Sequence, residues 1–350
     1  MAKGRSVTAS LFWKMLERFS VQGVSFVVSL VLARLLDPNE YGSVSLILVF
    51  TNLATAFVQG GFNMALIQKP NVTETDKSTV FFISLSVAAA LYMVLFLAAP
   101  AIASFYGIPE LEPATRALSL ILFPGAFNSV QTALASKTFM FRAIFTSSLI
   151  AVVGSAVVGI ALAWQGAGMW ALIAQQLTNQ VLVCLVMWFA IRWLPSPRFS
   201  LESAKRLFSF GSRILGGNLL NTFFQEVRSL IIGRLYSAAD LAFFTRGRQF
   251  PQTIMSAVNG SLQSVMFPAF SKMQGDRAHV LSSLRRSVQV SNYIIHPTVI
   301  VLAIVAEPLI VVLLTDKWLE AAQFVQIFAL AYVFQPIQIL CAEAMRGIGD

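Results

Sequence analysis

Few residues inside the apolar runs of this sequence can donate, accept or carry charge, and those few are periodically spaced. Arg18, Gln22, Ser25 and Ser29 fall on one face of a helix at 100° per residue, and Asn52, Thr55, Gln59 and Asn63 fall on one face of a second. About 200 positions later the pattern returns. Asn218, Thr222, Gln225 and Ser229 match the first set, and Gln252, Ser256, Asn259 and Gln263 nearly match the second. Ala33-Arg34-Leu35 likewise becomes Gly233-Arg234-Leu235. Amides and hydroxyls both donate and accept neutral hydrogen bonds. The planar fork of arginine suits doubly bonded contact with oxyanions. Two apolar helices with a wet stripe, present twice at a constant offset, have the form of two halves of a membrane transporter.

Composition sets the surroundings of these stripes. Hydrophobic residues make up 57% of the chain, charged residues 12%, and the mean hydropathy is +0.73. A soluble domain carries about 25% charge, so this chain belongs in a bilayer. The net charge of +9 does not indicate nucleic acid, because the basic residues sit at helix ends rather than in a groove-sized patch. Cys184 and Cys341 lie in apolar runs and read as small buried hydrophobes. Asn71-Val72-Thr73 fits a glycosylation pattern by chance. The first apolar run is interrupted by Lys14, Glu17 and Arg18 and has no small-residue cleavage site, so it does not read as a signal peptide.

A spanning helix needs ~20 mostly apolar residues. Ten stretches qualify, near 11–35, 43–66, 79–103, 115–135, 145–164, 168–191, 209–233, 247–270, 289–314 and 321–345. Asp37-Pro38 stops the first, Gly42 permits a tight re-entry, and Gln165-Gly166-Ala167-Gly168 forms a minimal hairpin. Leu194-Pro195-Ser196-Pro197 opens the longest polar linker, to about Arg206, and divides the chain into lobes at 1–200 and 201–350. Arg277 to Arg286 is a basic amphipathic stretch suited to headgroups. With the N-terminus inside, eighteen Lys and Arg face the cytoplasm and six face outward, which makes the N-terminus cytoplasmic. The expected fold is therefore an all-α integral membrane protein with two helical-bundle lobes. Six helices precede the linker and four follow it, so the second lobe reads as incomplete and the chain as truncated or a fragment.

Ala33-Arg34-Leu35-Leu36-Asp37-Pro38-Asn39-Glu40-Tyr41-Gly42 resembles the first-loop signature of the polysaccharide flippases, the Wzx-like branch of the multidrug/oligosaccharidyl-lipid/polysaccharide exporter superfamily. Ala65-Leu66-Ile67-Gln68, Phe105-Tyr106-Gly107-Ile108-Pro109-Glu110-Leu111, Met266-Phe267-Pro268-Ala269-Phe270-Ser271 and Asp316-Lys317-Trp318 match in the same order. The resemblance covers the whole chain and is closest to the colanic-acid and exopolysaccharide exporters. It implies two six-helix lobes around a central cavity and alternating access, with an undecaprenyl-diphosphate-linked oligosaccharide moved from the cytoplasmic to the periplasmic leaflet of the bacterial inner membrane. It also implies membrane lipids and other polysaccharide-assembly membrane proteins as partners, and no nucleic acid. Its motifs are loop and packing signatures, so no list of substrate contacts transfers with it.

A lipid diphosphate brings negative charge and a saccharide brings hydroxyls, which gives the stripes candidate roles. Arg18, with Lys14 one turn before it on the same face, is a candidate diphosphate contact; the alternative is snorkelling to headgroups. Arg228 and Glu226 are deeper, where a charge costs ~2.5–3.5 kcal/mol on insertion scales. They point about 160° apart and cannot pair along their helix. Arg228 is the second phosphate candidate, and Glu226 is the candidate for coupling to a proton or sodium ion. Gln22, Gln59, Gln225 and Asn259 are the saccharide candidates, and polar glue between helices is the competing reading of the same stripes. Lys137 and Arg142 read as headgroup-facing, His296 as a packing residue, and Arg34 and Arg234 as structural. There is no phosphate-binding glycine loop, metal-ligand cluster or nucleophile with a base at usable spacing. The sequence therefore reads as no enzyme, without cofactor or metal. An ion-coupled antiporter of small molecules or drugs, and a non-transporting truncated fragment, are the alternative readings.

Overall fold

A computed structural model of the chain describes residues 20–59, 61–273 and 277–348, and every regular element among them is helical. The first elements are α1 (Ser20–Leu35), α2 (Pro38–Gln59), α3 (Phe62–Gln68), α4 (Glu74–Tyr106) and α5 (Leu111–Leu118). Then come α6 (Leu122–Lys137), α7 (Phe141–Trp164), α8 (Met169–Ile191) and α9 (Leu201–Leu235). α10 (Ala238–Lys272), α11 (Arg277–Ile304), α12 (Ala306–Leu314), α13 (Ala321–Tyr332) and α14 (Gln335–Ile348) complete the order.

The internal repeat is visible in the backbone. Leu36 donates its N–H to the Leu32 carbonyl at 2.9 Å, and Tyr236 donates to Ile232 at 2.9 Å. Tyr41 donates to Asp37 at 3.2 Å, and Leu241 to Ser237 at 3.2 Å. The Glu40 carboxylate accepts from the Asp37 N–H at 2.8 Å, as the Asp240 carboxylate accepts from Ser237 at 2.9 Å. Each is an acid at the third helical position reaching back to cap the helix start, where it also opposes the positive end of the dipole. Pro38 opens α2 at a position whose N–H has no helical partner. One chemistry thus builds the α1–α2 turn and the α9–α10 turn, 200 positions apart.

The two turns also touch. Gly42 lies inside α2, and a methyl group there would sit 1.7 Å from the Ala238 carbonyl oxygen. The sequence reading gave Gly42 a role in backbone re-entry; its role is instead close approach between the repeated turns. A second close approach joins Gly61, at φ 76°, to Gly211 of α9, where an added methyl on Gly61 would lie 2.0 Å from the Gly211 carbonyl oxygen.

The packing forms two compact units, the first ending at Leu241 and the second beginning at Ala242. In the first, one apolar cluster joins Phe62 and Leu66 of α3, Phe81 of α4, Val130 of α6 and Leu207 of α9. A second joins Ala54 and Val58 of α2, Ala88 and Leu95 of α4, and Leu122 and Ala126 of α6. α7 and α8 form the expected hairpin across Gln165–Gly168, and Asn179 donates to Ser155 across it at 3.3 Å. In the second unit, Trp318 is fully buried and meets Phe243 edge-on at 6.0 Å. Phe270, Val280 and Ala344 form a further cluster there. The Asp316-Lys317-Trp318 motif thus supplies a packing anchor.

Seven helical stretches among the described residues are long and apolar enough to cross a membrane. They correspond to seven of the ten expected spans. Residues 11–19 of the first stretch lie outside the described residues, and Ser20–Leu35 is shorter than a full span. α9 and α10 cover the seventh and eighth stretches as helices of 35 residues each. At 1.5 Å per residue each is about 50 Å long, and their polar stripes keep them out of the apolar set. The basic segment after Arg277 runs straight on into α11 rather than forming a separate surface helix. The ninth stretch is broken at Val305, because Pro308 fits only the first turn of a new helix, α12. The polar linker is shorter than expected, since Ser200 caps α9 by accepting from the Ser203 N–H at 3.3 Å.

Candidate functional site

The polar stripes of α2 and α9 meet inside the first unit. Asn52 donates its side-chain amide to the Glu226 carboxylate at 2.9 Å. The two helices come close because Gly233 leaves room for Leu46, whose Cδ2 lies 2.1 Å from where a methyl on Gly233 would sit. Glu226 is half-buried and Asn52 is exposed. Each carboxylate and guanidinium at positions 226 and 228 was expected to need its own partner. Glu226 has one in Asn52. Arg228 is exposed and has no carboxylate partner among the described residues. It lies seven residues, or about 10 Å, before the end of α9, and Glu226 about 14 Å. With the end of α9 placed at the boundary of a ~30 Å hydrocarbon layer, both groups would lie toward the midplane.

The other candidates are dispersed. Arg18 lies outside the described residues, as does Lys14. Gln22 is exposed on α1, and Ser29 returns its hydroxyl to the Phe26 carbonyl at 2.8 Å. Gln59 is half-buried near the end of α2. Asn63 does not continue the α2 stripe: the chain turns at Gly61, and Asn63 of α3 accepts from Ser129 of α6. Gln225 is exposed and donates to Asn221 one turn earlier at 3.3 Å. Asn259 lies on α10, in the second unit. In that unit His296 Nε2 and Asn292 Oδ1, one turn apart on α11, are buried without hydrogen-bond partners among the described residues.

Sequence reasoning missed one charged centre. Asp76 is fully buried, and one of its oxygens takes hydrogen bonds from Lys69, from the Thr73 N–H at 2.9 Å and from the Thr73 hydroxyl at 2.9 Å. Its other oxygen stands 3.9 Å from Arg206 Nη2 on α9. Lys137, expected at headgroups, instead donates to the carbonyls of Leu66, at 3.3 Å, and Lys69, where the dipole of α3 ends. The signal was present: Thr73-Glu74-Thr75-Asp76 has capping-box spacing, and Thr73, the third residue of the apparent glycosylation pattern, is that cap. Replacing Asp76 with Asn keeps an acceptor for the cap but leaves Lys69 unpaired. The expected cost is about 3 kcal/mol, the lower end for breaking a buried pair, because Lys69 is 21% exposed. A lower thermal midpoint in detergent checks it, and an unchanged midpoint would remove Asp76 from the folding core.

Comparison with known proteins adds to this geometry. A family model described as polysaccharide biosynthesis protein matches residues 31–323. The chain is 26% identical over 327 residues to the succinoglycan biosynthesis transport protein ExoT of Rhizobium meliloti (strain 1021), covering 93% of this chain and 66% of that one. It is 22% identical over 343 residues to the lipopolysaccharide biosynthesis protein WzxC of Escherichia coli (strain K12), covering 97% and 67%. It therefore spans about two thirds of the length of these relatives. Among solved structures, the inward closed conformation of the lipid II flippase MurJ superposes with a TM-score of 0.73 at 12% identity, covering 97% of this chain and 76% of that one. That likeness shows the fold.

Proposed function

The chain belongs to the polysaccharide biosynthesis protein family, and from that membership we propose that it is a flippase for lipid-linked oligosaccharide units. It is a multi-pass membrane protein with a transporter fold rather than an enzyme. In this reading it moves an undecaprenyl-diphosphate-linked saccharide from the cytoplasmic to the periplasmic leaflet of a bacterial inner membrane, by alternating access and with a cytoplasmic N-terminus. The observation that carries the reading is Arg228, an exposed guanidinium deep along a spanning-length helix and free of carboxylates among the described residues. A diphosphate passing through would supply the missing counter-charge.

Arg18 joins Arg228 as a diphosphate contact in this proposal, and Gln22, Gln59, Gln225 and Asn259 offer hydrogen bonds to the saccharide. The proposed lobes run over 1–200 and 201–350, following the turn geometry repeated at an offset of 200, whereas the compact units divide between Leu241 and Ala242. Membrane lipids and other polysaccharide-assembly membrane proteins are its expected surroundings. A strain lacking the gene should accumulate lipid-linked oligosaccharide on the cytoplasmic face, and restoring the gene should clear it. Accumulation that persists despite good expression would count against the reading.

Glu226 favours a second reading, an ion-coupled antiporter, since its half-buried carboxylate is held by a neutral amide rather than by a cation. Under either reading Glu226 is the ion-coupling residue. Glu226→Gln keeps the acceptor for Asn52 and removes the titratable charge. Transport by this variant should lose most of its response to an uncoupler, and a response equal to that of the parent protein would exclude coupling through Glu226. Cationic-drug resistance conferred by the chain, without polysaccharide export, would select the antiporter.

A further inference from the structure

The first unit holds a cavity of about 670 Å³ between the final turns of α4 and α9, with Phe50 of α2 behind it. That volume suits a bound small molecule or part of a lipid. Its walls are apolar apart from two side chains, Tyr106 and Arg234. Tyr106 ends α4, and Arg234 precedes the last residue of α9, so both polar groups stand where the helices end. The apolar walls run back along the helices, from Phe105 to Ala101 and Ala98 on α4 and to Ile231 and Leu230 on α9. Ala98 to Phe105 is about 10 Å along a helix axis. A ligand that fits this shape has a polar end at the membrane boundary and a tail pointing toward the bilayer interior.

Charge narrows the choice. The Arg234 guanidinium lies 4.9 Å from the centroid of the Phe105 ring, which holds it at the mouth by a cation–π contact. It has no carboxylate partner among the described residues. Among the described residues lining the cavity, Arg234 is the one cation and none is an acid. One cation matches one phosphodiester; a diphosphate, with two or more charges, would leave charge unpaired here. A zwitterionic headgroup would leave its ammonium without a carboxylate.

We propose that this groove is a binding site for an anionic glycerophospholipid of the surrounding bilayer, with its phosphodiester on Arg234 and an acyl chain along the apolar walls of α4 and α9. The site is separate from Arg228 and Glu226, so it stands on the membrane location of the chain and not on the flippase reading. Arg234 serves as the headgroup ligand, and the groove sets how the ends of α4 and α9 are seated in the bilayer.

The test is native mass spectrometry of the purified full chain in detergent, offered phosphatidylglycerol, phosphatidylethanolamine and farnesyl diphosphate in equal amounts. Phosphatidylglycerol should be retained about fivefold over phosphatidylethanolamine, the weight of one cation for an anionic lipid. Arg234→Ala should bring the two lipids to parity while lowering the thermal midpoint only slightly, by the loss of the contact with Phe105, and Arg234→Lys should restore part of the preference. Ala101→Phe, which adds a ring from an exposed position on the groove wall, should reduce retention of both. Equal retention of the two lipids by the parent protein, or a preference that survives Arg234→Ala, would overturn the proposal. Displacement of phosphatidylglycerol by farnesyl diphosphate would overturn it as well, in favour of a carrier-lipid site. Absence of export by the parent chain, with this lipid preference intact, would count against the flippase reading alone.

Discussion

Replacing Arg228 with alanine is expected to reduce polysaccharide export to background while the protein still inserts at its normal level. A guanidinium at this depth costs ~2.5–3.5 kcal/mol to insert, so its removal should ease insertion. Arg228 stabilises no ion pair among the described residues and is exposed rather than packed. Its removal therefore leaves the folded bundle largely as it was. On the flippase reading, what is lost is contact with the anionic head of the substrate. A hydrogen bond to a charged group contributes about 1.5–3 kcal/mol, and two bonds from one guanidinium make the loss several decades in rate. Arg228→Lys, which keeps the charge but not the fork, should fall between the two. Export assays in a complemented deletion strain, normalised to membrane protein, read the effect. Normal export by well-expressed Arg228→Ala would remove the phosphate role from this residue.

Gly42→Ala is expected to destabilise the protein severely, although alanine is the better helix former. Intrinsic propensity favours alanine over glycine by about 1 kcal/mol in a helix interior. Against that gain, the new methyl would sit 1.7 Å from the Ala238 carbonyl oxygen and 2.3 Å from its carbon. The neighbour is backbone and cannot rotate away, so the α1–α2 and α9–α10 turns must separate. Overpacking of this kind costs about 1–3 kcal/mol and occasionally more. Gly217→Ala makes the internal control. Gly217 lies within α9 with nothing within 4 Å of the added methyl. That change should raise the thermal midpoint in detergent, whereas Gly42→Ala should lower it or abolish recovery of folded protein. Two shifts of the same sign would contradict the turn-to-turn contact.

Much of the fold was legible because it follows from local rules. The helical hairpin of α7 and α8 across Gly168 and the Asp37-Pro38 break need only propensity and turn chemistry. The 200-residue repeat was readable from the amide and hydroxyl stripes, and it reappears in the hydrogen bonds of the two turns. What sequence could not give was pairing across helices. Asn52 and Glu226 are 174 positions apart, and periodicity alone cannot say that their faces meet. Asn63 kept the α2 period in sequence but was carried off to Ser129 by the turn at Gly61. Lys137 looked like a headgroup cation, because nothing local shows that the carbonyls of α3 end beside it. Asp76 could have been identified as a cap from its spacing, but its burial beneath Lys69 and Arg206 is a tertiary fact.

The most direct measurement of the central claim is leaflet exchange in proteoliposomes. The purified protein is reconstituted with a fluorescent undecaprenyl-diphosphate-linked oligosaccharide, and access of a membrane-impermeant quencher to the label is followed in time. Protein-dependent exchange is expected of the parent chain, and exchange at the rate of empty vesicles is expected of Arg228→Ala. Exchange by the parent chain no faster than in empty vesicles, or equal exchange by the two proteins, would contradict it.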